Sequence, residues 1–252
     1  MRKVYFFFFF LFLWAPAFAL LASPAGAAEI EAAVAYWGQA PAGSLSYQGD
    51  NLDLKRNLNY GEQGKVQVRL KVHMPAFLPN AYFMATFSKF TAQSTLSHPF
   101  TFGQVAFNGG QTFSSILKLN HYDLAAYYSL LPRPVRGLVN VEAGVNARVV
   151  DFVAQIDQGA TEVLQTSTIV VPLLYIGAQF KPVRSVSLEA ETRGMVFARE
   201  HYLDIIGRVK FFPMRPFFVA AGYRYDEMRL KRHDINASVK LAGPFVEAGA
   251  AF

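Results

Sequence analysis

The sequence predicts an all-β fold: an antiparallel, up-and-down transmembrane β-barrel of about ten strands, with eight if one hairpin is a loop excursion. Three observations predict it. Strand-length segments alternate polar residues with bulky apolar ones many times along the chain. Their connections are of two kinds that take turns, one short and proline-marked, the other longer and polar. Finally, 52% of the 252 residues are hydrophobic, yet beyond the first 27 no stretch reaches the ~18 apolar residues that a spanning helix needs. The best candidate, residues 169–178, is interrupted by Pro172 and followed by Gln179. Barrel strands cross with only ~9–11 residues, half of them facing inward.

Residues 1–27 read as a secretory signal peptide. Arg2 and Lys3 precede an apolar run that includes five consecutive phenylalanines, and small residues lead to Ala25-Gly26-Ala27. That order of charge, apolar stretch and small-residue cleavage site is the export signature. A cut after Ala27 leaves 28–252 as the barrel domain, and a cut one residue later fits as well. The competing reading is an uncleaved anchor, against which Pro16 and the A-x-A site weigh. Without Arg2 and Lys3, 22 cations face 18 carboxylates, a formal charge of +4. Such a modest, scattered charge does not imply nucleic acid. With no cysteine, disulfides and thiolate metal sites are excluded, and no cofactor is expected.

The first strand sets Ile30, Ala32, Val34 and Tyr36 against Glu31. The clearest strand, 65–73, puts Val66, Val68, Leu70 and Val72 on one face and Lys65, Gln67, Arg69, Lys71 and His73 on the other. Farther on, Val139, Val141, Ala143, Val145 and Ala147 oppose Asn140, Glu142, Asn146 and Arg148. Val186, Leu188 and Ala190 oppose Ser187, Glu189, Glu191 and Arg193. Ile205, Val209 and Phe211 oppose Asp204, Arg208 and Lys210, and Ile235, Ala237, Val239 and Leu241 oppose Asn236, Ser238 and Lys240. In a barrel the apolar face meets lipid and the polar face lines the lumen.

The short connections are 74–80, 132–137, 182–185 and 213–216, all containing proline, which cannot donate inside a sheet. The longer ones are 38–64, 92–113, 151–166, 199–201 and 227–233. Four periplasmic turns imply ten strands, because both barrel ends lie in the periplasm and outer loops are the longer. The longest outer loop, 38–64, is placed to cap the barrel. A periplasmic sandwich would alternate as well. The continuity of the apolar side favours the barrel, as do aromatics near strand ends: Tyr36-Trp37, Tyr127-Tyr128, Phe211-Phe212, Phe217-Phe218, Tyr223 and Tyr225. The terminal Phe252, with Ala250, Ala248 and Val246 at alternate positions before it, resembles the signal read by the outer-membrane assembly machinery.

Several segments resemble a small outer-membrane β-barrel family of unassigned function. They are Ser44-Leu-Ser-Tyr-Gln-Gly-Asp-Asn-Leu-Asp-Leu-Lys55, Leu78-Pro79-Asn80, Phe102-Gly-Gln-Val-Ala-Phe107, the stretch 117–131, and the close from Tyr223-Arg-Tyr through Gly243-Pro244-Phe245. A looser similarity extends to outer-membrane protein W-like barrels. The resemblance implies a membrane barrel and supplies no catalytic residues.

The candidate site is the lumen. It is expected to hold Lys65, Arg69, Lys71, Arg148, Arg193, Arg208, Lys210, Arg224 and Lys240 against Glu31, Glu142, Glu189, Glu191, Asp204 and Glu247. Desolvated charges need partners, so the expectation is an ion-pair network that plugs the barrel, with Glu142, Glu189 and Glu191 opposite Lys65, Arg69 and Lys71. A sharper alternative is an anion-favouring passage lined by surplus cations. His121 and Asp123 share a strand face and read as a hydrogen-bonded lumen pair. A rim enzyme acting on lipid or peptide is the other alternative, with Asp50 and Asp53, His121 and Asp123, His201 and Asp204, or His233 and Asp234 as the general acid–base candidates. None reproduces the paired-Asp plus Asp-x-His pattern of outer-membrane proteases, so no enzyme is expected. The expected protein is a monomer in contact with outer-membrane lipid and lipopolysaccharide. Its role would be structural or in the passage of small molecules, apolar ones included.

Overall fold

The computed structural model describes residues 28–252 except Ala76, Ala198, Arg199 and His233; the predicted signal peptide lies outside the described residues. The strands are β1 (Glu29–Tyr47), β2 (Leu52–Asp53), β3 (Gln63–His73), β4 (Asn80–Thr86), β5 (Lys89–Thr95), β6 (Phe100–Phe102), β7 (Val105–Phe107) and β8 (Thr112–Ser129). After the short helix α1 (Arg133–Arg136) come β9 (Val139–Gln158), β10 (Thr161–Val183), β11 (Val186–Phe197), β12 (Glu200–Met214), β13 (Phe217–Arg232) and β14 (Ile235–Ala251).

Each wall strand is antiparallel to the next, and β14 closes on β1 from Glu31↔Ala251 to Tyr47↔Ile235. Closure leaves no long edge at the level of the lower barrel, which is the condition for a sheet in lipid. β4 and β5 both pair with β8 and together form one wall strand, interrupted at Phe87 and Ser88. The wall therefore has ten strands, as the four proline-marked turns predict, and those turns are where the chain reverses at the end that holds both termini.

The outer ends differ from expectation. Segment 151–166 and residues 227–232 are not loops but parts of the continuing hairpins β9–β10 and β13–β14. β10 alone has 23 residues, about twice what a tilted strand needs to cross a bilayer. Half of the wall consequently stands beyond the hydrocarbon, and its two faces obey a different rule there. In the lower half Val34, Leu70, Leu124, Leu174, Val209 and Val246 are exposed on the outside, while charged groups are buried within. In the upper half Leu117, Phe152, Leu230, Ala237, Val239 and Leu241 are buried inside, and polar residues such as Lys118, Gln155 and Ser238 face out.

The pleat fixes which positions point inward, and on β14 every odd position from Ile235 to Glu247 does so. What changes along the strand is the solvent. Low on the wall the exterior is lipid; high on the wall it is water, and the interior becomes an ordinary apolar core. This overturns the expected orientation of 235–241: Ile235, Ala237, Val239 and Leu241 face inward, and Lys240 faces out towards Glu227 at 3.7 Å. The paired aromatics divide by the same rule. Tyr36, Tyr128, Phe211 and Phe217 form the outer girdle, while Trp37, Tyr127 and Phe218 are buried inside.

The two longest connections fold into the outer mouth. Leu52, Leu54, Leu58 and Tyr60 from the first, and Phe100, Phe102 and Phe107 from the second, join the upper core. They are stitched together by Asp50, whose backbone N–H donates to Thr101 O (2.8 Å) and whose carboxylate accepts from Thr101 N–H (2.7 Å). Segment 38–64 does cap the barrel, with this second loop as its partner. Fully burying each such side chain is worth ~1.5–3 kcal/mol.

Candidate functional site: two stacked charge layers in the lumen

Strand register decides which charges meet. The lower layer is supplied by β1, β3, β9, β11, β12 and β14. Arg69 bridges Glu31 (2.6 Å) and Glu247 (2.7 Å), and Lys210 bridges Glu31 (2.5 Å) and Glu189 (2.8 Å). Lys71 lies between Glu142 (3.3 Å) and Glu191 (3.2 Å). Arg208 reaches Glu191 at 3.0 Å and Glu247 at 3.7 Å. Tyr175 donates its hydroxyl to Glu142 (2.8 Å).

Above lies an aromatic layer. Tyr82, Tyr127 and Tyr175 pack against one another, with Tyr127–Tyr175 centroids at 5.2 Å and Tyr82–Tyr175 at 5.9 Å. Lys71 sits under it, 5.3 Å from the Tyr82 centroid, and the Arg193 guanidinium lies 4.5 Å from the same ring. These contacts let cations spend their field on ring faces as well as carboxylates. They also narrow the bore to side-chain contact.

The upper layer holds three guanidiniums and three carboxylates. Arg148 donates to Asp123 (2.8 Å), Asp204 (2.5 Å) and Asp226 (3.2 Å). Arg224 donates to Asp204 (2.8 and 2.9 Å), Gln67 (2.6 Å) and Thr86 (2.9 Å), and its plane lies 4.6 Å from the Trp37 ring. Arg193 joins the layers, donating to Glu191 at 3.0 Å and approaching Asp204 at 3.6 Å. All six side chains are buried.

His121 and Asp123 both face this layer but are not bonded to each other. Asp123 accepts from Arg148 and Asn146 (2.7 Å). His121 Nδ1 lies 3.1 Å from Leu119 O, and a carbonyl can only accept, so Nδ1 carries the proton. Nε2 then accepts from Arg224 (3.0 Å), which makes the ring neutral. The geometry thus explains this histidine as an acceptor for a guanidinium.

The expected partners need three corrections. Lys71 meets Glu142 and Glu191 as expected, but Arg69 takes Glu31 and Glu247, and Glu189 takes Lys210. Lys65 sits too high for either layer; it donates to Gln63 (2.7 Å) and lies over the Phe90 ring. With Lys240 outside and Asp123 and Asp226 added, seven cations face eight carboxylates in these layers. The surplus of positive charge needed for an anion-favouring passage does not exist there. Asp226 stands outside the predicted set, although its alternation with Arg224 places it on the lumen face.

The rim candidates have structural work. Asp53 accepts from the Arg56 and Lys55 backbone N–H groups (2.8 and 3.0 Å), and Asp234 accepts from Gln48 (2.7 Å). His201 lies on the opposite strand face from Asp204. His233 is outside the described residues. Among the described residues no cluster of three metal-ligating side chains occurs. At the chain end Phe252 exchanges backbone hydrogen bonds with Ile30 (2.9 and 3.0 Å) and leaves its ring exposed.

Several solved structures resemble this chain. The outer membrane protease OmpT from Escherichia coli aligns with a TM-score of 0.51 at 10% identity, over 91% of this chain and 98% of that one. The translocator domain of the autotransporter NalP from Neisseria meningitidis gives 0.43 at 10% identity, over 96% and 94%. Ail, the attachment invasion locus protein of Yersinia pestis, gives 0.36 at 12% identity, over 89% and 99%. The first of these shows a shared outer-membrane barrel fold and nothing finer. No family model and no curated protein matches the sequence.

Proposed function

We propose that this chain is an integral outer-membrane barrel whose role is structural, with a lumen closed to solute passage. The observation that carries the reading is the filling of the bore. Two spaces within the charge layers are about 20 Å³ each, one lined by His121, Arg148 and Asp226, the other by Lys71, Glu142 and Glu191, while a wider one of about 220 Å³ beside Glu29, Glu31, His73 and Phe252 lies at the end that holds both termini. Each of the two small spaces is room for about one water. An apolar core capped by two loops lies above them, so a solute would have to break both zones.

Lipid and lipopolysaccharide are the partners of the outer apolar belt, the assembly machinery is the reader of Phe252, and the working unit is a monomer. The engagement of Asp53 and Asp234 in loop structure, and of His121 with Arg224, supports a non-catalytic role. The test is planar-bilayer recording on refolded protein. No unitary steps above background are expected; reproducible steps would sink the closed-lumen reading. Removing Phe252 is expected to leave refolding in detergent unchanged and to lower insertion in cells.

A further inference from the structure

The outer rim of the barrel is uneven. β9 and β10 pair along their whole length, from Thr161↔Gln158 to Phe180↔Val139. β10 meets β11 only from Leu174↔Gly194 downward. Among the described residues, positions 161–173 therefore have a strand on one side only. The β11–β12 hairpin turns over early, at Phe197↔Glu200, whereas β13 and β14 rise again to Arg232↔Ile235. The wall is left with a notch between upper β10 and the tip of the β13–β14 hairpin.

A cavity of about 260 Å³ lies in that notch. Its floor is apolar, made of Phe152, Ile169, Leu230 and Ile235, and its rim carries Gln165, Ser167 and Thr168. It is more than ten times the size of either space inside the charge layers and close to the lower end of the ~300–1,000 Å³ typical of ligand sites. Its depth is informative. Val170 on β10 and Val196 on β11 are strongly exposed aliphatics beside the notch, and Leu164 on β10 is exposed again above it. Thr168 and Thr166 take the outward positions directly above Val170. The notch therefore opens where the aliphatic outer belt gives way to a mixed surface of Thr168, Thr166 and Leu164.

We propose that this notch binds the alkyl chain of a single amphiphile. The tail lies on Phe152, Ile169, Leu230 and Ile235, and the polar head meets the Ser167 and Thr168 hydroxyls and the Gln165 amide. Three features argue for this occupant together. A buried apolar floor that borders a cavity, as Phe152, Ile169, Leu230 and Ile235 do here, loses dispersion contacts on that side unless something fills it. The polar groups stand on one side of the cavity only, as an amphiphile requires. The site lies at the depth where the heads and tails of amphiphiles meet. The proposal is independent of whether the lower lumen conducts.

The absence of cysteine permits a clean test. A Ser167→Cys variant carries a solvatochromic fluorophore at the rim, and Ser238→Cys, on the outer face of upper β14, carries it as control. Each is measured in amphipol and in phosphatidylcholine nanodiscs, titrated with hexanol, octanol and decanol. The expected result at position 167 is blue-shifted emission that reddens saturably as alkanol displaces the dye. Affinity should rise about four-fold per added methylene. Adding Ile169→Trp, with an unchanged circular dichroism spectrum, should abolish the response by filling the floor. Displacement in both media identifies a chain taken from the aqueous side. Displacement in amphipol, with fixed blue emission in nanodiscs, identifies a bilayer lipid as the occupant. Solvent-like emission at 167 in amphipol, or a response matching that at 238, overturns the proposal.

Discussion

Asp204 is the place to test whether the lumen is a dry, mutually neutralised plug. Its carboxylate serves Arg148 at 2.5 Å, Arg224 at 2.8 and 2.9 Å and Arg193 at 3.6 Å. Asp204→Asn keeps the shape and removes the charge, leaving Arg148 and Arg224 with Asp123 and Asp226, and Arg193 with Glu191. Breaking one side of a buried pair costs about 3–5 kcal/mol, because the remaining charge stays desolvated. At a guanidinium-chloride m-value of about 4 kcal/mol/M, that lowers the unfolding midpoint of refolded protein by about 1 M. Arg193→Met alone should also destabilise, by leaving a carboxylate in excess. The double variant removes one charge of each sign and keeps the wild-type balance, so its cost should fall short of the sum by about 2 kcal/mol. A loss under about 1 kcal/mol for Asp204→Asn, with additive behaviour in the double variant, would refute the reasoning. It would mean that water screens these charges and the lumen is open.

Other predictions separate inside from outside. Lys210→Gln, which removes the partner of Glu31 and Glu189, should cost about 3–5 kcal/mol, whereas Lys240→Gln on the outer wall should stay within about 0.5 kcal/mol; denaturant midpoints compare them directly. Gly144→Ala would put a methyl 2.1 Å from Ala126 O and 2.6 Å from Tyr127 Cβ, and the overpacking should cost about 1–3 kcal/mol in the same assay. In the capping loop, backbone N–H donation from Arg56 holds the Asp53 carboxyl below its ordinary value of 3.8. A depressed carboxyl stabilises above its unfolded value and loses that contribution as pH falls through the folded one. Amide exchange at Arg56 and Asn57 should thus quicken only below about pH 4 once the intrinsic rate is divided out, and Asp53→Asn should remove that step.

The sequence by itself determined the class of fold, the strand number and the inward phase of most strands. A period of two is a local property, and proline can mark a turn without reference to anything distant. It also determined most members of the charge layers, since Arg69, Lys71, Glu189, Glu191 and Arg208 lie on strands low enough for polar to mean inward. It could not determine how far each strand stands above the lipid. Residues 235–241 show the consequence: the same alternation that means lumen for Lys71 means open water for Lys240, because height on the wall, not sequence, sets which solvent lies outside.

Pairing across the lumen was equally beyond reach. Arg69 chooses Glu247, 178 positions away, through the closure of β14 on β1, and no spacing encodes that distance. His121 and Asp123, neighbours on one face, were separated by guanidiniums arriving from β9 and β13. The notch, too, exists only in three dimensions. It arises from the different heights of the β9–β10, β11–β12 and β13–β14 hairpins, each of which reads as an ordinary hairpin when taken alone.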